Sequence, residues 1–222
     1  MNKIPKIVHY IWVGSNIPLN IEEQIKKNSQ FLEGYTIKIW TESNMPPLNN
    51  FAKQAYADKK WAFVSDYLRF HILYHEGGIY LDTDMDVLKP LDDLLKNSFF
   101  AGWNRQGREV YAGIIGTKKD DKYIKAILDV YKTIPRGKYP TSPEVMTHCY
   151  HQYEDKERLT ILESSYFYPL LDGERATSKR LEKAYTNHLW HESWRTYVPL
   201  RRFLRRIGLM KFYHFFLFRM KK

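Results

Sequence analysis

The sequence predicts an α/β sandwich. Three observations carry that prediction. A β-rich apolar run at residues 7–13 ends at Gly14. Short apolar runs then alternate with segments of helical period. A burst of carboxylates, Asp82-Thr83-Asp84-Met85-Asp86, directly follows one of the buried runs. Open α/β sheets bind ligands at the carboxyl ends of their strands.

The first strand is residues 7–13, followed by a modest helix over 22–32. Residues 35–40 (YTIKIW) alternate like a second strand, and Pro46 and Pro47 mark a loop. The strongest helical pattern is WAFVSDYLRFHILYHE over 61–76, where Val64, Leu68 and Ile72 recur on an inward face. Asp66 and Arg69 are three residues apart and share a face. Gly77-Gly78 stops this helix, and residues 79–81 form a short strand running into the carboxylates. Further strands are expected at 99–103, 110–116 and 159–163. Helices are expected at 121–132, with Ile124, Ile127, Leu128 and Tyr131 on one side, and at 142–151. Residues 186–194 form a polar-aromatic cluster with no clear period, and a helical pattern returns from Arg201.

The chain has 222 residues, enough for one main domain. At 44% hydrophobic and 27% charged it is not disordered throughout. A lone cysteine, Cys149, excludes an internal disulfide and fits a reducing compartment. No secretory signal is visible, and no run of apolar residues is long enough to span a bilayer. Nine of the 35 basic residues, and none of the 25 acidic ones, lie in 195–222. Residues 1–194 are therefore near neutral, and the formal net charge of +10 belongs almost wholly to the tail. The expected organisation is a catalytic domain over 1–194 and a basic, aromatic helical tail over 195–222. Such a charge distribution argues for a local anionic partner and against nucleic acid bound across the fold.

Chemistry concentrates in three places. Asp82 and Asp84 form a D-x-D at a strand end, where oxygen ligands suit Mg²⁺ or Mn²⁺. Its ordinary alternative is a solvated acidic turn. Arg69 offers a planar fork for phosphate or sugar oxygens, with Asp66 on sugar hydroxyls. The alternative is an exposed pair worth about 0–1 kcal/mol. His188 is either a nitrogen ligand to the same metal or a histidine satisfying a core hydrogen bond.

Several segments together resemble a known family. IPKIVHYIWVG (4–14), AFVSDYLRFHILYHEGGIYLDTDMDVLKPLDDL (62–94) and NHLWHESW (187–194) are similar to the DXD-containing sugar-binding glycosyltransferases of family 32. The glucosylating domains of clostridial toxins look alike in the same stretches. The resemblance implies a GT-A fold, a nucleotide-sugar donor, a divalent metal and retention of anomeric configuration. By that likeness Trp12 stacks on the base, Asp66 and Arg69 hold the donor sugar and Tyr80 contacts the diphosphate or sugar. Asp82 touches ribose, sugar or a metal-bound water. Asp84 and His188 ligate Mn²⁺ or Mg²⁺, and Ser193 and Trp194 close over the diphosphate. Two departures stand out. A family asparagine near the donor sugar is replaced within Val110-Tyr111-Ala112-Gly113, with Asn104 nearby but off register, and a family G-P reads Ser142-Pro143.

The expected activity is transfer of a hexose to a glycan or lipid-linked acceptor in cell-surface polysaccharide synthesis. A UDP donor carrying galactose, glucose or N-acetylhexosamine is favoured, and GDP-mannose is the alternative. A haloacid dehalogenase-like phosphohydrolase is a weaker reading of IYLDTDMD, because Asp86 stands where that motif wants Thr or Val. A basic nucleic-acid-binding protein is weaker still. The expected location is the inner face of the cytoplasmic membrane, with the tail laid on anionic lipid. Truncation before Arg201 is expected to abolish co-sedimentation with anionic liposomes at low salt and leave the body folded. Unfolding of the truncated body, or indifference of the full chain to liposomes, contradicts membrane attachment.

Overall fold

A computed structural model describes residues 4–190. The tail helix expected from Arg201, the boundary between 194 and 195, and Ser193 and Trp194 lie outside the described residues.

Among the described residues, eight strands are interspersed with seven α-helices. β1 (Ile7–Ile11), α1 (Leu19–Ser29) and β2 (Thr36–Trp40) open the chain. α2 (Asn50–Ala57) and α3 (Trp61–Glu76) precede β3 (Gly78–Leu81) and β4 (Met85–Val87). β5 (Phe99–Trp103), β6 (Val110–Thr117), α4 (Lys122–Thr133), α5 (Ser142–Gln152) and β7 (Leu159–Leu162) come next. The short helices α6 (Ser164–Phe167) and α7 (Ser178–Leu181) lead to β8 (Thr186–His188). The main sheet has the order β2-β1-β3-β6-β5-β7, and β4 pairs with β8 in a separate two-stranded sheet. β2, β1 and β3 run parallel; β6 is antiparallel to both β3 and β5; β7 is parallel to β5.

The sheet is buried on both faces, so its strands read as continuous apolar runs whose alternate residues enter different layers. Val8, Tyr10, Ile79, Leu81, Phe100 and Ile114 join Ile21 and Ile25 of α1 in one layer. Ile11, Tyr80, Phe99 and Ile115 join α2, α3, α4 and α5 in the other. The helices begin where the sequence supplies caps. Asp121 accepts from the backbone N–H groups of Tyr123 and Ile124 to start α4. Thr141 and Glu144 form a reciprocal capping box at the start of α5, with Pro143 in its first turn.

Most expected elements appear within a few residues of their predicted bounds. Five were not anticipated: α2, β4, α6, α7 and β8. α2 has no expected counterpart because the eight-residue NFAKQAYA is too short for a persuasive period. β4 lies within the acidic run, and β8 within the aperiodic cluster, because three-residue strands carry almost no pattern.

His9 ties the front of the sheet together. It is fully buried, donates from Nε2 to the Gly77 carbonyl at 2.8 Å, and accepts at Nδ1 from the Trp40 indole at 3.2 Å. Gly78 permits this contact. Its φ is +98°, and a Cβ there would lie 2.7 Å from the Ile7 carbonyl and 3.0 Å from His9 Nε2. Burial lowers the His9 pKa, only partly opposed by the Gly77 carbonyl. The native state therefore resists a proton that the unfolded chain accepts below about pH 6.5. Stability should fall as pH drops through that value toward the depressed native pKa. Urea midpoints measured from about pH 7.5 to about pH 5 are expected to fall more steeply in the wild type than in His9→Gln. Parallel slopes contradict this role for His9.

Candidate active site

β3 ends at Leu81, and the chain turns at once through Asp82-Thr83-Asp84 into β4. The Asp82 N–H donates to the Gly113 carbonyl of neighbouring β6 at 2.8 Å, and the Met85 N–H donates to the Asp82 carbonyl at 3.0 Å. Pairing of β4 with β8 sets Met85 opposite His188. The Leu189 N–H donates to the Asp84 carbonyl at 2.9 Å. Two segments more than a hundred residues apart thus become neighbours. His188 Nε2 lies 3.4 Å from an Asp84 oxygen. Ligand atoms of Asp82, Asp84 and His188 all fall within 4.8 Å of one another. The Trp190 N–H donates to His188 Nδ1 at 3.1 Å, which helps orient the ring's Nε2 edge toward Asp84. Two carboxylates and one imidazole suit a divalent ion such as Mn²⁺ or Mg²⁺, with room in its coordination shell for phosphate oxygens.

Behind this cluster lies a buried ionic network. Asp66 and Arg69 are 7% and 6% exposed, so the exposed-pair reading does not hold. Arg69 Nη2 lies 2.7 Å from Asp66 Oδ1, and Nη1 lies 3.3 Å from Asp82 Oδ1. Nη1 also donates to the Ala112 carbonyl at 3.0 Å, and Nε to the Ser65 carbonyl at 3.3 Å. The guanidinium lies 4.6 Å from the centre of the Tyr80 ring. Burial works against the Arg69 charge, but Asp82, Tyr80 and Asp66 outweigh it and hold its pKa above the usual arginine value. Burial pushes the Asp66 carboxyl up from the ordinary range, while Arg69 and two donors from Ser142 pull it back. Arg69 is the cation that compensates this network, with Asp66 and Asp82 on either side.

Tyr80 was expected on the diphosphate or sugar. Its ring is 2% exposed, in the layer under α3, because it alternates with Ile79 and Leu81. Its hydroxyl donates to Asp82 Oδ1 at 2.6 Å. Tyr80 thus meets Asp82 through its hydroxyl and Arg69 through its ring face. Trp12 is half-buried just beyond β1, its indole donating to Ser15 Oγ at 3.2 Å. The third aspartate of the acidic run, Asp86, accepts from Lys27 at 2.6 Å and Gln24 at 3.0 Å and anchors α1.

The segment lacking the family asparagine meets the site through its backbone. The Ala112 carbonyl receives Arg69, and the Gly113 carbonyl receives the Asp82 N–H. A Cβ on Gly113 would lie 3.2 Å from Asp82 Oδ2 and 3.3 Å from the Tyr168 hydroxyl. Asn104 instead closes the β5–β6 hairpin, bonding Glu109 and the Arg108 N–H. Sequence reasoning missed Tyr168, whose hydroxyl accepts from the Ile114 N–H at 3.2 Å, and Ser142 as a partner of Asp66. No local pattern marks either one. The Ser142-Pro143 departure was a signal, but not of its partner.

Comparison with known proteins covers part of this site. Residues 9–101 match the glycosyltransferase sugar-binding region containing the DXD motif. The matched segment runs from β1 into β5 and contains Asp66, Arg69, Asp82 and Asp84. An inositol phosphoceramide mannosyltransferase of Schizosaccharomyces pombe is 30% identical over 112 residues, 45% of this chain and 34% of the fungal protein. The chain spans about a third of that relative's length. Among solved structures, a glycosyltransferase involved in glycosylation of the major capsid of PBCV-1 superposes with a TM-score of 0.56 at 12% identity. That match covers 85% of this chain and 96% of the viral one. The PaToxG glycosyltransferase gives 0.54 at 23% identity, covering 68% and 69%. Residues 4–190 therefore have the α/β architecture of the GT-A type expected from the sequence.

Replacing Arg69 in this domain leaves Asp66 and Asp82 without their shared cation. Arg69→Ala is expected to lower stability by about 3–5 kcal/mol, as loss of one partner of a buried ion pair does. Arg69→Lys keeps charge but loses the fork and should fall between the two. Denaturant unfolding measures both, and a loss under about 1 kcal/mol for Arg69→Ala returns the pair to the energetics of an exposed contact.

Proposed function

We propose that this protein transfers a hexose from a nucleoside diphosphate sugar to an acceptor hydroxyl with the help of a divalent metal. The observation that carries this reading is the meeting of Asp82, Asp84 and His188 at the end of β3, directly in front of buried Arg69. A bound Mn²⁺ or Mg²⁺ offsets negative charge on the diphosphate leaving group. Asp84 and His188 hold that ion. Asp82, oriented by Tyr80 and Arg69, faces the ribose, the donor sugar or a metal-bound water. Arg69 supplies fixed positive charge behind the site, and Asp66 sets its orientation. Trp12 offers an aromatic face for the base. Retention of configuration belongs to the proposal, through a front-face route in which the leaving phosphate accepts the acceptor's proton.

Mannose is the favoured sugar, given as GDP-mannose, because the fungal relative is named a mannosyltransferase. A UDP-hexose is the second reading. It rests on Trp12, but stacking on an indole face is available to every base and does not choose uracil over guanine. The proposed acceptor is a glycan or lipid-linked polyol. The relative's name points to a phosphoinositol lipid, and the basic tail to an anionic surface. Ser193 and Trp194 are proposed to close over the diphosphate and exclude water. Location at the inner face of the cytoplasmic membrane belongs to the same proposal. Among the described residues, no helix is long and apolar enough to cross a membrane.

The test is a donor screen of GDP-mannose and UDP-hexoses with Mn²⁺, Mg²⁺ or a chelator, with product linkage read by NMR. Turnover is expected with GDP-mannose and metal, and none with chelator. Asp84→Ala should lower kcat by about 10²–10³, the scale of losing one preorganised electrostatic contact. Equal turnover in chelator removes the metal from the reaction, and turnover with UDP-hexose alone reverses the donor choice.

A further inference from the structure

The first turn of α5 reaches into the buried network from outside the sugar-binding motifs. The Ser142 N–H donates to Asp66 Oδ2 at 3.0 Å, and its hydroxyl to Asp66 Oδ1 at 2.6 Å. Ser142 is itself buried, and α5 packs on α3 and β6. Asp66 Oδ1 also receives Arg69 Nη2, so one carboxylate oxygen is shared between α5 and the guanidinium. Two donors on two oxygens fix the plane of a carboxylate as one donor cannot. That plane sets where Nη2 lies, and the rigid guanidinium then sets where Nη1 meets Asp82.

We propose that Ser142 is a positioning residue for sugar transfer, acting through Asp66 and Arg69 on Asp82. The inference rests on the donor-site reading above and extends it to a residue at which this chain departs from the G-P of the family it resembles. A glycine there keeps the backbone donor but lacks the hydroxyl. The neighbouring orphan N–H groups are served separately by Thr141 and Glu144, so the Ser142 hydroxyl is not needed to begin the helix. It also links the 134–141 connection between α4 and α5 to the site.

The experiment compares wild type, Ser142→Ala, Ser142→Gly and Ser142→Thr for donor turnover, donor KM and thermal midpoint. Ser142→Ala and Ser142→Gly are expected to lower kcat by about tenfold, the rate equivalent of about 1.4 kcal/mol, with donor KM changed less than about twofold. Ser142→Thr, which keeps a hydroxyl, is expected to recover most of the loss. A merely structural role predicts a lowered midpoint with kcat per folded molecule unchanged. That result, or failure of Thr to rescue while Ala and Gly fold normally, overturns the inference. Should Ala fail to fold, Gly against Thr carries the same comparison. An inert wild type on every donor overturns the donor reading together with this inference. An active wild type matched by Ser142→Ala overturns this inference alone.

Discussion

A single buried cation organises the active end of this domain. Arg69 sits between Asp66 and Asp82, bonds two backbone carbonyls and lies against Tyr80. Moving a guanidinium and two carboxylates out of water costs several kcal/mol per ion, and only dense, well-directed pairing offsets it. The network supplies that pairing from α3, β3, β6 and α5 together. Each element must therefore hold its place for the charges to be compensated. The same demand makes the site rigid before any ligand arrives, which is what electrostatic preorganisation requires.

Around that cation, the residues facing a ligand and those holding them are sharply divided. Asp84 and His188 are partly exposed, and Asp82 shares their edge. Tyr80, Asp66, Ser142 and Tyr168 are buried behind them, with the Tyr80 hydroxyl donating to Asp82. The small sheet formed by β4 and β8 makes the exposed part possible. Three register pairs, Met85 with His188, Asp86 with Asn187 and Val87 with Thr186, carry a histidine from the end of the domain to a carboxylate in its middle. Asn28 steadies the arrangement from α1. It accepts from the Val87 N–H, and its amide donates to the Met85 carbonyl and the Tyr10 hydroxyl.

Local chemistry made much of the fold legible. The helix over 61–76 was readable to the residue, because its apolar spacing is sustained for four turns and two glycines stop it. Asp121 and Thr141 carry cap chemistry within a few positions of a helix start, and the structure uses both. α2, β4 and β8 escaped for the opposite reason: each is short, and its stability comes from what it packs on. The D-x-D and the Asp66–Arg69 spacing were visible as chemistry. Their burial was not, because charged residues on a helix look the same whether they face water or a compensating network.

By itself the sequence determined that residues 7–162 alternate between strand and helix, that carboxylates follow a buried strand, and that Asp66 and Arg69 share one helical face. These are properties of neighbours along the chain, set by side-chain period, backbone freedom at Gly77 and Gly78, and hydrogen bonding within one turn. Only the tertiary structure decided that Tyr80 supports Asp82 from the core, that Ser142 holds Asp66 across 76 residues, and that His188 reaches Asp84. Each of those depends on strand order and register. Those in turn follow from burying both faces of the sheet at once, a condition on the whole chain that no local window contains.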